Sequence, residues 1–138
     1  MDQRGHTGLI CNRQVTNRNP ESAYLLACRA LVAIAAEPSA VISSERVADR
    51  IGAHPVVLRR VLAKLRSVGL VEGRSGPGGG WAIARDPDDI GLGRVRQAVK
   101  PAFEPDGDRL SRTLRAAEEA FARELDGVTI GDLMREPA

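Results

Sequence analysis

The spacing of apolar and polar residues predicts a mainly α-helical chain with one small β-hairpin. Apolar side chains recur at intervals of three and four from Asn19 to about Ala36, from Ser43 or Ser44 to Gly52, and from Pro55 to Gly69. Two short apolar runs, 70–72 and 81–83, flank a glycine-rich turn at 76–80 and predict the hairpin. Further helices are predicted at 90–99, at 108–126 and after a capping box that begins at Thr129.

The order of these elements is typical of a known DNA-binding architecture. Between Ile42 and Ile83, a short helix, a tight turn, a second helix and a glycine hairpin follow one another, as in a winged helix-turn-helix. The second helix is apolar on one face, and its other positions hold Arg59, Arg60, Lys64 and Arg66. Such a helix can pack on a core and still present positive charge to a major groove.

We therefore predict a DNA-contacting surface on the helix pair and the hairpin. Its members are serines that start the first helix, residues of the second helix, and residues at the base of the glycine loop. They are Ser43, Ser44, His54, Val56, Arg59, Arg60, Lys64, Arg66, Arg74 and Ser75. The serines have a second role as helix caps, and His54 is equally compatible with a cap. Arg59 or Arg60 is expected to read a base, and Lys64 to contact phosphate.

A narrow apolar stripe marks the helix predicted at 108–126. Its members advance in steps of four, three, four and four, which places them on one face: Leu110, Leu114, Ala117, Phe121 and Leu125. A stripe of this kind packs against another helix, so we predict a dimerisation role. The helix at 19–36 is apolar nearly all round, and we expect a partner chain to help bury it.

Charge is distributed unevenly along the 138 residues, although the net charge is only +2. Residues 39–85 hold eight Lys/Arg and three Asp/Glu, whereas residues 86–138 hold eight Lys/Arg and twelve Asp/Glu. We predict a flexible arm at 1–18, a DNA-binding domain at 19–100 and dimerisation helices at 101–138. Neither a nucleophile–base pair nor a phosphate loop is evident, so an enzyme is not expected.

The two cysteines, Cys11 and Cys28, form no CxxC pair, and neither a structural zinc site nor any other metal site is expected. Cys28 is interpreted as a small buried hydrophobe, with a thiol-sensor role as the alternative. The longest apolar stretch is too short to span a bilayer and the N-terminus lacks a signal-peptide pattern, so a cytoplasmic location without membrane contact is expected.

Several segments together resemble the Rrf2 family of transcriptional regulators. They are Ile51 to Arg66, Gly69-Leu70-Val71, Gly76 to Gly80, and Ala84-Arg85 followed by Pro87 and Ile90. The stretch His54-Pro55-Val56-Val57 and the ending Thr129 to Met134 are most similar to a cluster-free branch, the YwnA-like proteins.

The resemblance implies a homodimer that binds a palindromic operator, with the stripe at 110–125 and the first helix in the dimer core. We expect this regulator to act as a repressor. Iron–sulfur members carry cysteines between the fourth helix and the long helix, whereas here Val99 to Leu125 contains none and the ligand positions hold Asp108, Leu114 and Ala120. No cluster and no other cofactor is therefore expected. A small-molecule effector is a further possible partner, and no residue in the sequence identifies one. The hairpin with its glycine-rich turn corresponds to the wing. Immediately before the first glycine of this turn, Ser75 stands where many relatives have Arg.

A winged helix can also bind a protein instead of DNA, which leaves a protein-interaction module that regulates a partner protein as the alternative function. The basic face at 54–66 and the basic wing favour DNA.

Overall fold

The computed structural model describes residues 20–100 and 107–136. This part of the chain contains six α-helices and one β-hairpin. In chain order they are α1 Pro20–Ala35, α2 Ser44–Ile51, α3 Pro55–Ser67, β1 Val71–Arg74, β2 Gly80–Ile83, α4 Leu92–Val99, α5 Arg109–Leu125 and α6 Ile130–Arg135. A 3-10 helix, Pro87–Asp89, precedes α4. The predicted fold class, a mainly helical winged helix-turn-helix with a long C-terminal helix, is confirmed. The predicted arm at 1–18 lies outside the described residues, and the boundary predicted at residue 100 falls beside the undescribed segment 101–106.

Helix α1 lies at the centre of the fold and packs against α2, α3, α4, α6 and β2. Its buried side chains are Tyr24, Leu26, Ala27, Cys28, Ala30, Leu31, Ala33 and Ile34. The chain itself therefore buries most of this helix, and a partner chain is not needed for that purpose. Among the described side chains of α1, an accessible edge remains at Leu25, which is 48% exposed, at the exposed Arg29 and at the half-buried Val32, and this edge leaves room for the partner contact that the sequence predicted.

Local sequence signals fix the ends of the helix-turn-helix. The Ser43 hydroxyl accepts a hydrogen bond from the backbone N–H of Arg46 at 3.2 Å and caps α2. Gly52 ends α2 in the left-handed conformation, with φ of 68°. Pro55 then opens α3, whose buried residues Leu58, Val61, Leu62 and Leu65 face the core. Gly69 follows α3 with φ of 80°, a left-handed conformation that glycine adopts without strain.

The hairpin is longer than predicted and gains a third, single-residue strand partner. Its antiparallel register pairs Val71 with Ile83 and Arg74 with Gly80. Ile42, which precedes α2, exchanges two backbone hydrogen bonds with Trp81, at 3.0 and 2.8 Å. A Cβ atom on Gly80 would lie 2.4 Å from the Ile42 carbonyl oxygen, so this bridge requires glycine there.

The long helix α5 is attached to the body mainly through α4. The two backbones meet closely, because a Cβ on Gly93 would lie 1.9 Å from the Ala122 carbonyl oxygen. Ala122 is the one residue of α5 that is fully buried. No helix within 20–100 or 107–136 has the length and apolar character that crossing a bilayer requires.

We expect Gly93→Ala to lower the free energy of unfolding by about 1–3 kcal/mol, because the added methyl group forces α4 and α5 apart. Urea denaturation followed by circular dichroism measures this. Gly127→Ala is the matched control, since its Cβ would meet Glu124 at an ordinary 3.5 Å. Equal stability of the two variants would contradict the close crossing.

Candidate nucleic-acid interface

The outward face of α3 is the centre of the candidate site. Val56, Arg60, Ala63 and Ser67 are separated by four, three and four residues, so they form one line along the helix, opposite the buried face. All four are exposed, and Val56 is 42% exposed. The small side chain of Ala63 lets another surface approach the backbone closely.

Arg59 and Arg66 lie together on one flank of this outward face, seven residues apart. Within 23–100 and 107–136, the structure records no ion pair or hydrogen bond for the guanidinium groups of Arg59, Arg60 or Arg66. Three exposed cations without anionic partners in the described chain make this side of α3 strongly positive. Such a surface attracts a phosphate backbone.

The predicted residue Lys64 lies on the opposite flank and is engaged within the protein. Its Nζ donates a hydrogen bond to the Val99 carbonyl oxygen, at the end of α4, at 3.3 Å. The sequence pattern placed Lys64 among the exposed cations, because helical spacing alone does not reveal a neighbouring helix. Its ammonium group therefore contacts α4, whereas the guanidinium groups of Arg59 and Arg60 have no such contact in the described chain.

His54 has a capping role at the start of α3. Its Nδ1 accepts a hydrogen bond from the backbone N–H of Val56 at 3.1 Å. Because Nδ1 accepts, the neutral ring carries its proton on Nε2, which remains a donor on an exposed residue. The capping interpretation of His54 is confirmed, and it leaves one ring nitrogen for another contact.

The structure brings the α2 N-terminus and the hairpin to the same edge. Ser43 and Ser44 directly follow Ile42, which is bonded to Trp81, and Gly80 pairs with Arg74. Arg74 forms an exposed ion pair with Glu72 at 3.3 Å. Surface pairs of this kind contribute little, so Arg74 can exchange its carboxylate partner for a phosphate. Ser75 is exposed at the start of the turn.

Two arginines to which the sequence analysis gave no role hold the end of α3. Arg85 Nε donates to the Gly69 carbonyl oxygen, and Arg94 Nη2 donates to the Val68 carbonyl oxygen, both at 3.3 Å. Cations at a helix C-terminus bind its unpaired carbonyls and oppose its partial negative charge. Nothing in the local sequence around 85 or 94 identifies these long-range contacts.

Cys28 is buried on α1, with 8% of its surface exposed. It borders an apolar groove of about 730 Å³ lined by residues of α1, the end of α2, and Leu133. Burial raises the pKa of its thiol from 9.0 to about 11, although a hydrogen bond with Tyr24 and the charge of Arg29 oppose this shift. This environment favours the interpretation as a buried hydrophobe. The described residues include no group of three metal-ligating side chains.

The family model of Rrf2, described as an iron-dependent transcriptional regulator, matches residues 21–136. The chain belongs to the Rrf2 family. The family and the relatives named below are transcriptional regulators rather than enzymes. The resemblance inferred from the sequence is thereby confirmed.

Three regulators illustrate the similarity. The IscR regulator of Aliivibrio salmonicida is 33% identical over 100 residues, covering 64% of this chain and 60% of that protein. The NsrR repressor of Streptomyces coelicolor is 29% identical over 126 residues, covering 81% and 85%. The YwnA regulator of Bacillus subtilis is 30% identical over 108 residues, covering 67% and 80%. The chain thus spans less than two thirds of the IscR length.

The fold of a solved Rrf2 protein is also similar. The structure of T. potens IscR superposes with a TM-score of 0.65 at 24% identity, covering 82% of this chain and 83% of that one. At this identity the likeness establishes the fold. The winged helix-turn-helix described above is therefore the Rrf2 arrangement.

We expect the native Cys28 thiol to react with iodoacetamide near pH 8 about 100-fold more slowly than in the urea-unfolded chain. The reason is that a rise in pKa from 9.0 to about 11 reduces the thiolate fraction by that factor. A Cys11→Ser chain isolates the signal, and mass spectrometry follows it. Comparable native and unfolded rates would instead support the thiol-sensor alternative.

Proposed function

We propose that this Rrf2 regulator binds a palindromic operator as a homodimer and represses transcription. The observation that carries the proposal is the outward face of α3. There the exposed Arg60 lies in line with uncharged side chains and is flanked by Arg59 and Arg66, and none of these three cations has a partner in the described chain. The similarity to NsrR, a transcriptional repressor, supports repression as the direction of regulation. A basic recognition helix favours duplex DNA as the partner, whereas an uncharged or acidic face on this helix would favour a protein partner.

The parts of the interface take different tasks in this proposal. Arg60, on the outward line with Val56, enters the major groove and reads a base edge, while the exposed His54 Nε2 lies near the groove entrance. Arg59 and Arg66, on the flank, bind phosphates along one groove wall. Ser43, Ser44, Arg74 and Ser75 bind the backbone on the hairpin side, where α2 and the wing share an edge.

Dimerisation is assigned to the apolar stripe of α5. Leu110, Leu114 and Phe121 are 64%, 50% and 46% exposed, and Ala117 is exposed between them. Leu125, at the helix end, is partly buried against the chain's own core. Because a repeat of large exposed apolar side chains on one helix is costly in water, a second copy of α5 is the partner that best covers it. A two-fold pair of α5 helices would also present two α3 helices to a palindrome.

We expect Arg60→Ala to weaken operator binding by about 1–3 kcal/mol and to relax specificity at one base position. The operator is first selected from a genomic fragment pool, and affinities are measured for it and for single-base variants by fluorescence anisotropy. Arg123→Ala is the control, because it removes the same charge from an exposed position of α5. Equal weakening of all sequences by Arg60→Ala would reassign Arg60 to phosphate contact.

The salt dependence of the same binding tests DNA recognition itself. A steep fall in affinity with rising salt is expected, since each phosphate contact releases counterions. Weak, salt-insensitive binding would favour the protein-interaction alternative.

We expect Leu114→Glu to convert the dimer into a folded monomer, because it introduces a charge into the apolar stripe. Sedimentation equilibrium measures the change. Ala116→Glu adds the same charge on the opposite, exposed side of α5 and should remain dimeric. A Leu114→Glu chain that stays dimeric would exclude this stripe as the interface.

A further inference from the structure

Helices α3 and α4 are joined by two reciprocal hydrogen bonds from cations. Lys64 Nζ, on α3, donates to the Val99 carbonyl oxygen at the end of α4. Arg94 Nη2, on α4, donates to the Val68 carbonyl oxygen at the end of α3. Each helix thus supplies a cation to the carboxyl-terminal carbonyls of the other, as an antiparallel pair allows. Such carbonyls lack intrahelical partners, and they form the negative end of the helix dipole.

The other side of α4 is fixed to α5. The backbone N–H of Arg94 donates to Asp126 Oδ1 at 3.2 Å, and Arg96 pairs with Glu118 at 2.7 Å. The Arg96 guanidinium lies 4.6 Å from the ring centre of Phe121 on α5 and 5.7 Å from that of Tyr24 on α1. With the close Gly93–Ala122 crossing, these contacts make α4 and the second half of α5 one packed unit.

Helix α4 is therefore the connection between the recognition helix and the long helix. Within the described residues, α3 and α5 share no extensive contact, whereas α4 packs extensively on both. If two copies associate through α5, the separation of their two α3 helices is transmitted through α4. A small rotation of α3 on α4 would change that separation, and DNA half-sites tolerate little change.

We infer that Lys64 and Arg94 are positioning residues that clamp the recognition helix to α4 and so set the spacing of the two half-sites. This inference rests on the proposed function for its effect on DNA, but the clamp itself is a property of the single chain. It gives Lys64 a task other than the phosphate contact predicted from the sequence. Arg66, which lacks such an engagement in the described chain, is the natural contrast.

A measurement within one chain tests the clamp without DNA. Spin labels are attached at Ala63→Cys on α3 and Ala116→Cys on α5, both exposed positions, in a chain with Cys11→Ser and Cys28→Ser. Labelled chain is diluted with unlabelled chain, so that only distances within a chain are measured. The distance distribution should broaden in Lys64→Met and in Arg94→Met, and should stay narrow in Arg66→Met. An unchanged distribution in both clamp variants would overturn the inference.

DNA binding tests the consequence for spacing. Affinities are measured for the selected palindrome, for the same palindrome with one base pair inserted between half-sites, and for a half-site. Lys64→Met should lose on the order of tenfold affinity for the natural palindrome, change little on the half-site, and discriminate less against the insertion. Arg66→Met should weaken all three DNAs alike and reduce the salt slope by about one. Equal loss on all three DNAs by Lys64→Met, with a reduced slope, would make Lys64 a phosphate contact and overturn its positioning role.

Further variants separate the remaining outcomes. Lys64→Arg, which retains a donor of sufficient length, should restore both the narrow distribution and the spacing preference. Lys64→Gln replaces Lys64→Met if the latter does not fold. A wild-type chain that binds palindrome and half-site equally would refute the proposed dimeric operator, whereas the distance distributions within one chain would still decide the clamp.

Discussion

The close crossing of α4 and α5 is the constraint on which the rest of the arrangement depends. Gly93 has no side chain, and so the α4 backbone reaches the Ala122 carbonyl of α5. A short crossing distance allows Arg96 to reach Glu118 and Phe121, and allows Asp126 to accept the Arg94 N–H. Within the described residues, no other element packs extensively on the long helix. This contact therefore helps to set the direction of α5 relative to the helix-turn-helix.

Features governed by local rules could be predicted from the sequence. The caps at Ser43, Gly52 and Thr129 and the helix start at Pro55 were correct, because each depends on residues within one helical turn. The apolar face of α3 was also correct, since its spacing repeats over three turns. Strand ends were less accurate, at 70–72 and 81–83 against Val71–Arg74 and Gly80–Ile83. The hairpin extends toward its glycine turn, where no apolar residue signals a strand.

Features that depend on distant parts of the chain were missed. The pairing of Ile42 with Trp81 joins positions 39 residues apart, and a single apolar residue gives no strand signal. The direction of Lys64 is decided by the end of α4, which helical periodicity within α3 does not encode. The burial of α1 by its own chain was underestimated, because α6 and β2 also cover it. Sequence patterns identified the helix that presents cations, but they did not show which of its cations point to solvent and which bond to a neighbouring helix.

The bridge between Ile42 and Trp81 also has an optical consequence. Trp81 is the only tryptophan of the chain, and it packs against the core at the base of the wing. Its indole therefore reports from the junction between the wing, the start of α2 and the interior. Any rearrangement of the wing that changes water access to this junction would alter the intrinsic fluorescence spectrum. The regulator thus contains a native spectroscopic probe beside its proposed DNA-binding edge, and no dye needs to be attached there.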